Sequence, residues 1–153
     1  GLVGERNGRI EVRRWTELVD FHVSTPERYP VYEIALAEDL TFRVGVRVRP
    51  ELAPILEYID LKVTSARFLP TLRRLFDGEI IDFGSVTLDR KSVRGPGMRG
   101  DCAEISRVVP DQARIFFECD WLPHWHGIPY KDIAFPQLFL AVAAVMIDET
   151  RRR

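Results

Sequence analysis

A run of ten consecutive apolar residues near the C-terminus constrains the fold more than any other feature of the sequence. It extends from Leu138 to Ile147 and is followed by a basic end at residues 151–153, which suits the negative end of a helix dipole. The run is far shorter than the ~20 residues that a membrane-spanning helix needs. A helix that is apolar all round must be buried all round, so we expect a buried C-terminal helix, enclosed by the protein itself or by a partner.

Two neighbouring segments alternate between apolar and polar residues. In the first, Tyr32, Ile34 and Leu36 are separated by Glu33 and Ala35, and residues 42–48 continue the pattern. A period of two places one face of a strand in the core and the other in solvent, which is typical of antiparallel sheets. Residues 15–22 fit either a helix or a strand. The same reasoning assigns further strands to residues 9–15, 80–88, 104–109 and 113–120.

Two short helices are predicted between the strand groups. The first starts near Pro50 and carries an apolar stripe from Leu52 to Ile59, and the second begins near Pro70 and ends at Gly78. Its arginines, and Arg67 before it, are expected to face outward. The order of elements predicts an α+β fold, with a mostly antiparallel sheet of about five to six strands, helices on one face and a buried C-terminal helix.

Length and composition fit a single globular domain over residues 1–153. The chain is 46% apolar and 29% charged, and a chain of this size buries enough surface to form a core without metals or disulfides. It begins at Gly1 without Met. We therefore expect that its natural N-terminus is truncated.

Charge and cysteine content narrow the class of protein. The net charge is −1, so bulk charge gives no reason to expect a nucleic-acid or membrane partner. Two cysteines do not make a disulfide-rich scaffold, and residues 1–6 have no apolar run typical of a signal peptide. These features favour the cytoplasm. Nineteen arginines against three lysines are typical of a GC-rich coding genome and favour a bacterial origin.

The segment 119–130 concentrates aromatic and titratable residues between the last predicted strand and the last helix. Its two prolines and Gly127 predict a loop. Loops of this composition either pack over the edge of the core or bind a partner. Six residues form the candidate binding site: Asp120, Trp121, His124, Trp125, His126 and Tyr130.

Two kinds of chemistry fit the residue types of this loop. His124 and His126 lie two residues apart, and Asp120 or Cys119 would add a ligand for a metal such as zinc. Either histidine with Asp120 would instead form a proton-transfer pair. However, the sequence has no paired cysteine or histidine motif at a metal-binding spacing, and no nucleophile with an adjacent base is evident. We therefore expect no metal and no other cofactor, and the sequence argues against an enzyme more than for one. A small metal-binding protein or metal-dependent enzyme is the alternative hypothesis.

Residues 89–101 predict a flexible basic loop rich in glycine. Its candidate anion-binding residues are Arg90, Lys91, Arg94 and Arg99. Acidic residues within the same segment weaken this patch as a nucleic-acid site.

These observations predict a non-catalytic protein-interaction domain, such as an inhibitor, an immunity-type protein, a chaperone or an accessory module. The expected partner is another protein or a second copy of the chain, which would form a homodimer. We expect neither a membrane partner nor nucleic acid.

Overall fold

A computed structural model describes residues 2–6, 9–24, 31–36, 40–45, 50–111, 113–119 and 122–152. The strands in chain order are β1 (Leu2–Arg6), β2 (Arg9–Arg13), β3 (Leu18–Ser24), β4 (Val31–Leu36), β5 (Leu40–Gly45), β6 (Ile81–Asp82), β7 (Thr87–Leu88), β8 (Ser92–Gly95), β9 (Met98–Asp101), β10 (Ile105–Pro110), β11 (Arg114–Cys119) and β12 (Leu122–Pro129). The helices are α1 (Ala53–Phe76) and α2 (Pro136–Arg151), and short 3-10 turns occupy Trp15–Glu17, Pro50–Leu52 and Tyr130–Asp132.

All strand pairing in the described residues is antiparallel. Strands β1 and β2 form a hairpin, β3-β4-β5 and β10-β11-β12 form three-stranded sheets, and β6-β7-β8-β9 form a four-stranded sheet. The predicted α+β class and antiparallel pairing are therefore confirmed. Within each sheet, strands that follow each other in the chain are paired side by side, as is usual for short connections.

The C-terminal helix is present as predicted, but it is not buried all round, because Ala144 is exposed on its outer side. Along α2 the side chains of Leu138, Phe139, Val142, Met146 and others are buried, and Leu140 and Val145 are partly buried. Phe139 packs with its ring centroid 5.3 Å from that of Phe83 and 6.1 Å from that of Phe117. Edge-to-face ring pairs of this kind connect α2 to the four-stranded sheet and to β11.

Helix α1 corrects the prediction of two short helices. It is one helix of 24 residues, and Pro70 lies inside it. A proline in a helix removes one backbone hydrogen bond, but buried contacts of Val63 before it and Thr71 and Leu72 after it hold both halves against the core. The helix ends where predicted, with Gly78 just after the cap at a φ of +91°.

The segment before α2 is fixed by backbone hydrogen bonds. Phe135 donates to the carbonyl of Phe21 at 2.7 Å, and Ala134 donates to the carbonyl of Phe83 at 2.9 Å. Ser85 donates to the carbonyl of Asp132 from both its amide and its hydroxyl. The start of α2 is thereby held against β3 and against the connection between β6 and β7.

Two predicted loops are strands. Residues 89–101, expected to be an irregular loop, contain the hairpin β8-β9 with Gly97 at a φ of +70° in its turn. The segment 122–129, expected to be a loop because of its prolines, is strand β12. Proline is tolerated there because β12 lies at the edge of its sheet, where one row of amides has no ladder partner to meet.

Gly127 has a packing role in β12. It faces Phe116 in the neighbouring strand, and a Cβ atom at position 127 would come within 2.6 Å of the Phe116 ring. The glycine therefore makes room for an aromatic ring that packs across its backbone.

Neither helix in the described chain combines the length and the apolarity needed to traverse a lipid bilayer.

Candidate functional site

The predicted aromatic site is only partly described. Asp120 and Trp121 lie outside the described residues. His124, Trp125 and His126 belong to β12 by their backbone, and their side chains also lie outside the description. Tyr130 is described: it is buried and belongs to the 3-10 turn that follows β12. The metal-binding alternative at Asp120, His124 and His126 therefore stays a prediction.

Tyr130 lines a cavity of about 650 Å³. The walls come from β3 and β4 on one side, from α1 and the start of α2 on the others, and from the turn after β10. The residues that give the cavity its polar character are Tyr32, Glu57, Asp60, Thr64, Asp111 and Tyr130. Its apolar wall includes Val23, Leu61, Pro136 and Ala141.

Asp60 is the most perturbed carboxyl group described. Burial raises its pKa from 3.8 to about 6, and a hydrogen bond from the Thr64 hydroxyl, 3.5 Å from Oδ1, opposes this only in part. The pKa of a carboxyl group rises on burial because a low-dielectric environment disfavours the charged form. Asp60 therefore changes charge close to neutral pH and can accept a proton or pair with a cation.

Two tyrosines share this environment. Burial raises the pKa of Tyr32, and the charges of Glu57 and Asp60 raise it further. Burial also raises the pKa of Tyr130, with a contribution from Asp60. Both phenols thus stay protonated, and each presents a hydroxyl donor and an aromatic ring to the cavity.

The sequence interpretation missed the four cavity residues on α1. Glu57, Asp60, Leu61 and Thr64 are spaced i, i+3, i+4 and i+7, which places them on one helix face. This spacing is present in the sequence. It was not recognised because the prediction divided the segment into two short helices. Tyr32 and Asp111 come from distant elements and could not be assigned to the site from the sequence pattern.

The basic candidates lie around the β8-β9 hairpin. Arg94 and Arg99 are opposite each other in the hairpin register, and Arg94 pairs with Asp89 at 3.2 Å. Burial alone would raise the pKa of Asp89, but hydrogen bonds from Lys91 and Ser92, together with Arg94, lower it. The positive charge of Arg94 is therefore balanced by Asp89 within the protein.

Arg90 is directed elsewhere. Its guanidinium lies 5.9 Å from the centroid of the Phe76 ring. Arg90 and Lys91 line a smaller cavity of about 230 Å³ together with two carboxylates, Asp101 and Glu149. Because the two carboxylates repel an anion, this cavity is not a favourable anion-binding site. The four basic residues therefore do not form a common site for an anion.

Helix α1 also presents a set of exposed apolar side chains away from the cavity. Ile55, Tyr58, Leu69 and Phe76 are all exposed and follow one face of the helix. They are spaced i, i+3, i+14 and i+21, with Lys62 and Ser65 at i+7 and i+10. We call these six positions the α1 stripe.

Within the part of the chain whose side chains are described, no group of three or more His, Cys, Asp or Glu residues is arranged to hold a metal ion. No protein-family model, curated protein or solved structure matches the chain. The functional interpretation therefore depends on the surfaces and cavities of this molecule alone.

Proposed function

We propose that the protein is a non-catalytic protein-interaction domain, that its docking surface is the α1 stripe, and that its partner is a second copy of the chain. The observation that carries the proposal is the exposure of large apolar side chains on one helix. Ile55 is 54% exposed, Tyr58 53%, Leu69 60% and Phe76 38%. Lys62 and Ser65 lie between Tyr58 and Leu69 in this stripe, but several large exposed apolar side chains on one helix face favour an interaction site.

The spacing of the stripe supports a helix-to-helix contact. Its positions follow a repeat of seven residues, with apolar side chains at 55, 69 and 76 and Tyr58 three residues after the first. Side chains at this spacing form the seam along which two helices pack. The Lys62 ammonium nitrogen lies 5.1 Å from the centroid of the Tyr58 ring, a cation–π contact between two neighbouring positions of the stripe.

Charge supports a second copy packed antiparallel. The N-terminal end of the stripe carries Glu51 and its C-terminal end carries Arg73, and both side chains are exposed. A two-fold axis near Lys62, which lies midway between residues 51 and 73, would bring Glu51 of each helix against Arg73 of the other. This arrangement is self-complementary, as a two-fold interface requires.

Sedimentation velocity over a range of protein concentrations tests the proposal. We expect a concentration-dependent dimer and a monomer for Leu69→Glu, because a carboxylate would be buried in the seam. Ile80→Glu is the matched control: Ile80 is 57% exposed but lies beyond the helix, so this variant should dimerise like the wild type. A wild type that stays monomeric at every concentration contradicts the proposal, as does a dimer unaffected by Leu69→Glu.

A charge swap tests the orientation. Glu51→Arg and Arg73→Glu should each weaken the dimer, because each places like charges together at both ends of the interface. The double variant restores complementarity and should recover most of the affinity. If the two single effects simply add in the double variant, the antiparallel arrangement is wrong.

We also propose a bacterial and cytoplasmic protein. The arginine-rich composition supports the first part. Cys102 and Cys119 are both buried thiols, which suits a reducing compartment.

A further inference from the structure

The cavity beside Asp60 is separate from the α1 stripe and has the size of a small-molecule site. Its volume of about 650 Å³ falls within the range of ~300–1,000 Å³ typical of ligand pockets. Five elements contribute to its walls, and α2 is held there by the hydrogen bonds of Phe135 and Ala134 to β3 and β6-β7. The cavity is thus a product of the whole fold and not of one loop.

The charged side chains described in this cavity all carry the same sign. Three carboxyl groups, those of Glu57, Asp60 and Asp111, line it, and none of its described lining residues is Lys, Arg or His. A cleft lined by like charges between apolar walls focuses the potential and attracts ions of opposite charge. Asp60 is the most buried of the three, since Glu57 and Asp111 are exposed, and the hydrogen bond that it accepts from Thr64 is long at 3.5 Å.

The remaining walls favour an organic cation over a bare metal ion. Tyr32 and Tyr130 are mostly buried and contribute a small aromatic area to the wall, and Val23, Pro136 and Ala141 contribute aliphatic surface. Aromatic rings attract ammonium groups through their quadrupoles. A hydrated metal ion would make no use of these apolar walls, whereas an amine with an apolar body would contact both kinds of surface.

We propose that this cavity binds a small organic ammonium compound, with its charged nitrogen at the Asp60 carboxylate and its apolar body against the wall formed by the two tyrosines and the start of α2. Glu57 and Asp111 line the same cavity and are exposed, so their charges attract the cation towards it. The amine is a ligand in this scheme, and no bond to it is formed or broken.

Matched probes test the charge requirement on the unaltered protein. Benzylamine, benzyl alcohol and benzoate share a ring and differ in charge, and their binding can be followed by calorimetry or by shifts of the tyrosine resonances. We expect benzylamine to bind at least tenfold more tightly than benzyl alcohol, and benzoate to bind least. Equal binding of the amine and the alcohol, or no binding of the amine at millimolar concentration, overturns the proposal.

Variants locate the site. Asp60→Asn should weaken benzylamine binding at least tenfold and leave benzyl alcohol unchanged. Glu104→Gln removes one negative charge at an exposed position outside the cavity and should bind benzylamine as the wild type does. Tyr32→Phe keeps the aromatic ring and should retain most of the affinity. Undiminished binding to Asp60→Asn places the amine elsewhere and contradicts the proposal.

The proposed dimer and the proposed amine site can be tested separately. The Leu69→Glu variant should bind benzylamine with unchanged affinity, because Leu69 does not line the cavity. A fall in amine binding that matches the loss of the dimer would show that the cavity is completed by the second copy, which overturns the site as described here.

Discussion

The guanidinium of Arg67 lies 4.4 Å from the centroid of the Phe135 ring, which it covers from α1. The same side chain donates hydrogen bonds from Nη2 to the carbonyls of Thr16 and Leu18, at the start of β3. Phe135 is itself held in the left-handed region at a φ of 50°, immediately before α2. One arginine therefore joins α1, β3 and α2, whereas the sequence predicted that it faces outward.

Replacement of Arg67 tests this role. Arg67→Met should lower the free energy of unfolding by about 2–3 kcal/mol, because it removes charge-assisted hydrogen bonds and the contact with the ring. Arg67→Lys should have an intermediate effect, since a single ammonium group cannot reproduce the planar fork. Urea denaturation measures both.

Arg74→Met is the control for that experiment. It removes an exposed ion pair with Glu79 in the same helix, and exposed pairs contribute only about 0–1 kcal/mol. If Arg67→Met costs no more than Arg74→Met, the contacts of Arg67 do not hold the three elements together.

The sequence pattern predicted the elements whose signal is local. The alternating residues around Tyr32 and the apolar run from Leu138 lead directly to β4 and α2, because a buried face leaves a period in the sequence. The length of α1 was not predictable in this way. Pro70 predicts the start of a new helix by local rules, and only the tertiary contacts on both sides of it keep the helix continuous.

The candidate site could be predicted to a smaller extent. Tyr130 was singled out from the sequence as part of an aromatic loop, whereas the structure places it in a cavity with Asp60 and Tyr32, which are far away in sequence. The pairing of Gly127 with Phe116 is likewise invisible in either strand alone. Long-range partners of this kind are set by how elements pack, and composition or periodicity does not carry that information.

Gly84 offers a test of how closely the β6-β7 connection packs on the segment before α2. It has a φ of +80°, and a Cβ atom there would lie 2.8 Å from the carbonyl oxygen of Asp132. Gly84→Ala should therefore cost about 2–4 kcal/mol, from backbone strain and from the clash with backbone that cannot move freely.

A substitution at Gly97 distinguishes the backbone strain from the steric clash. It also has a positive φ, of +70°, but nothing lies within 4 Å of the position of its Cβ. Gly97→Ala should cost only the strain of about 1–2 kcal/mol. Equal losses in the two variants, measured by thermal or urea unfolding, would show that the contact with Asp132 is unimportant.

Cys102 should be chemically inert in the folded protein. Burial raises the pKa of its thiol to about 12, with further contributions from the carboxylates of Asp101 and Asp89. Thiolate is the reactive form, so an aromatic disulfide reagent at mildly alkaline pH should modify Cys102 only after unfolding in denaturant. Cys102→Ser, unfolded under the same conditions, gives the signal of the remaining thiol. Rapid modification of Cys102 in the native state would contradict its burial.

The raised pKa of Asp60 predicts a specific dependence of stability on pH. Its pKa is about 6 in the folded protein, against an ordinary value of 3.8, so the folded state binds more protons between these values than the unfolded state does. The free energy of unfolding therefore falls as the pH rises through this range. Ionisation of Asp60 destabilises the fold, and the full penalty is reached above about pH 6.

Asp60→Asn removes this penalty. The variant should match the wild type near about pH 4, gain on it as the pH rises, and be more stable at neutral pH by up to about 3 kcal/mol. Urea denaturation across this range gives the difference at each pH, and Glu104→Gln corrects for the change in net charge. A difference that is constant with pH would show that Asp60 ionises as freely in the fold as in the unfolded chain. The same experiment can be repeated with benzylamine. A ligand that binds the folded wild type and not the variant stabilises the wild type alone. If benzylamine abolishes the extra stability of Asp60→Asn at neutral pH, the cost of the buried carboxylate is offset by the bound cation.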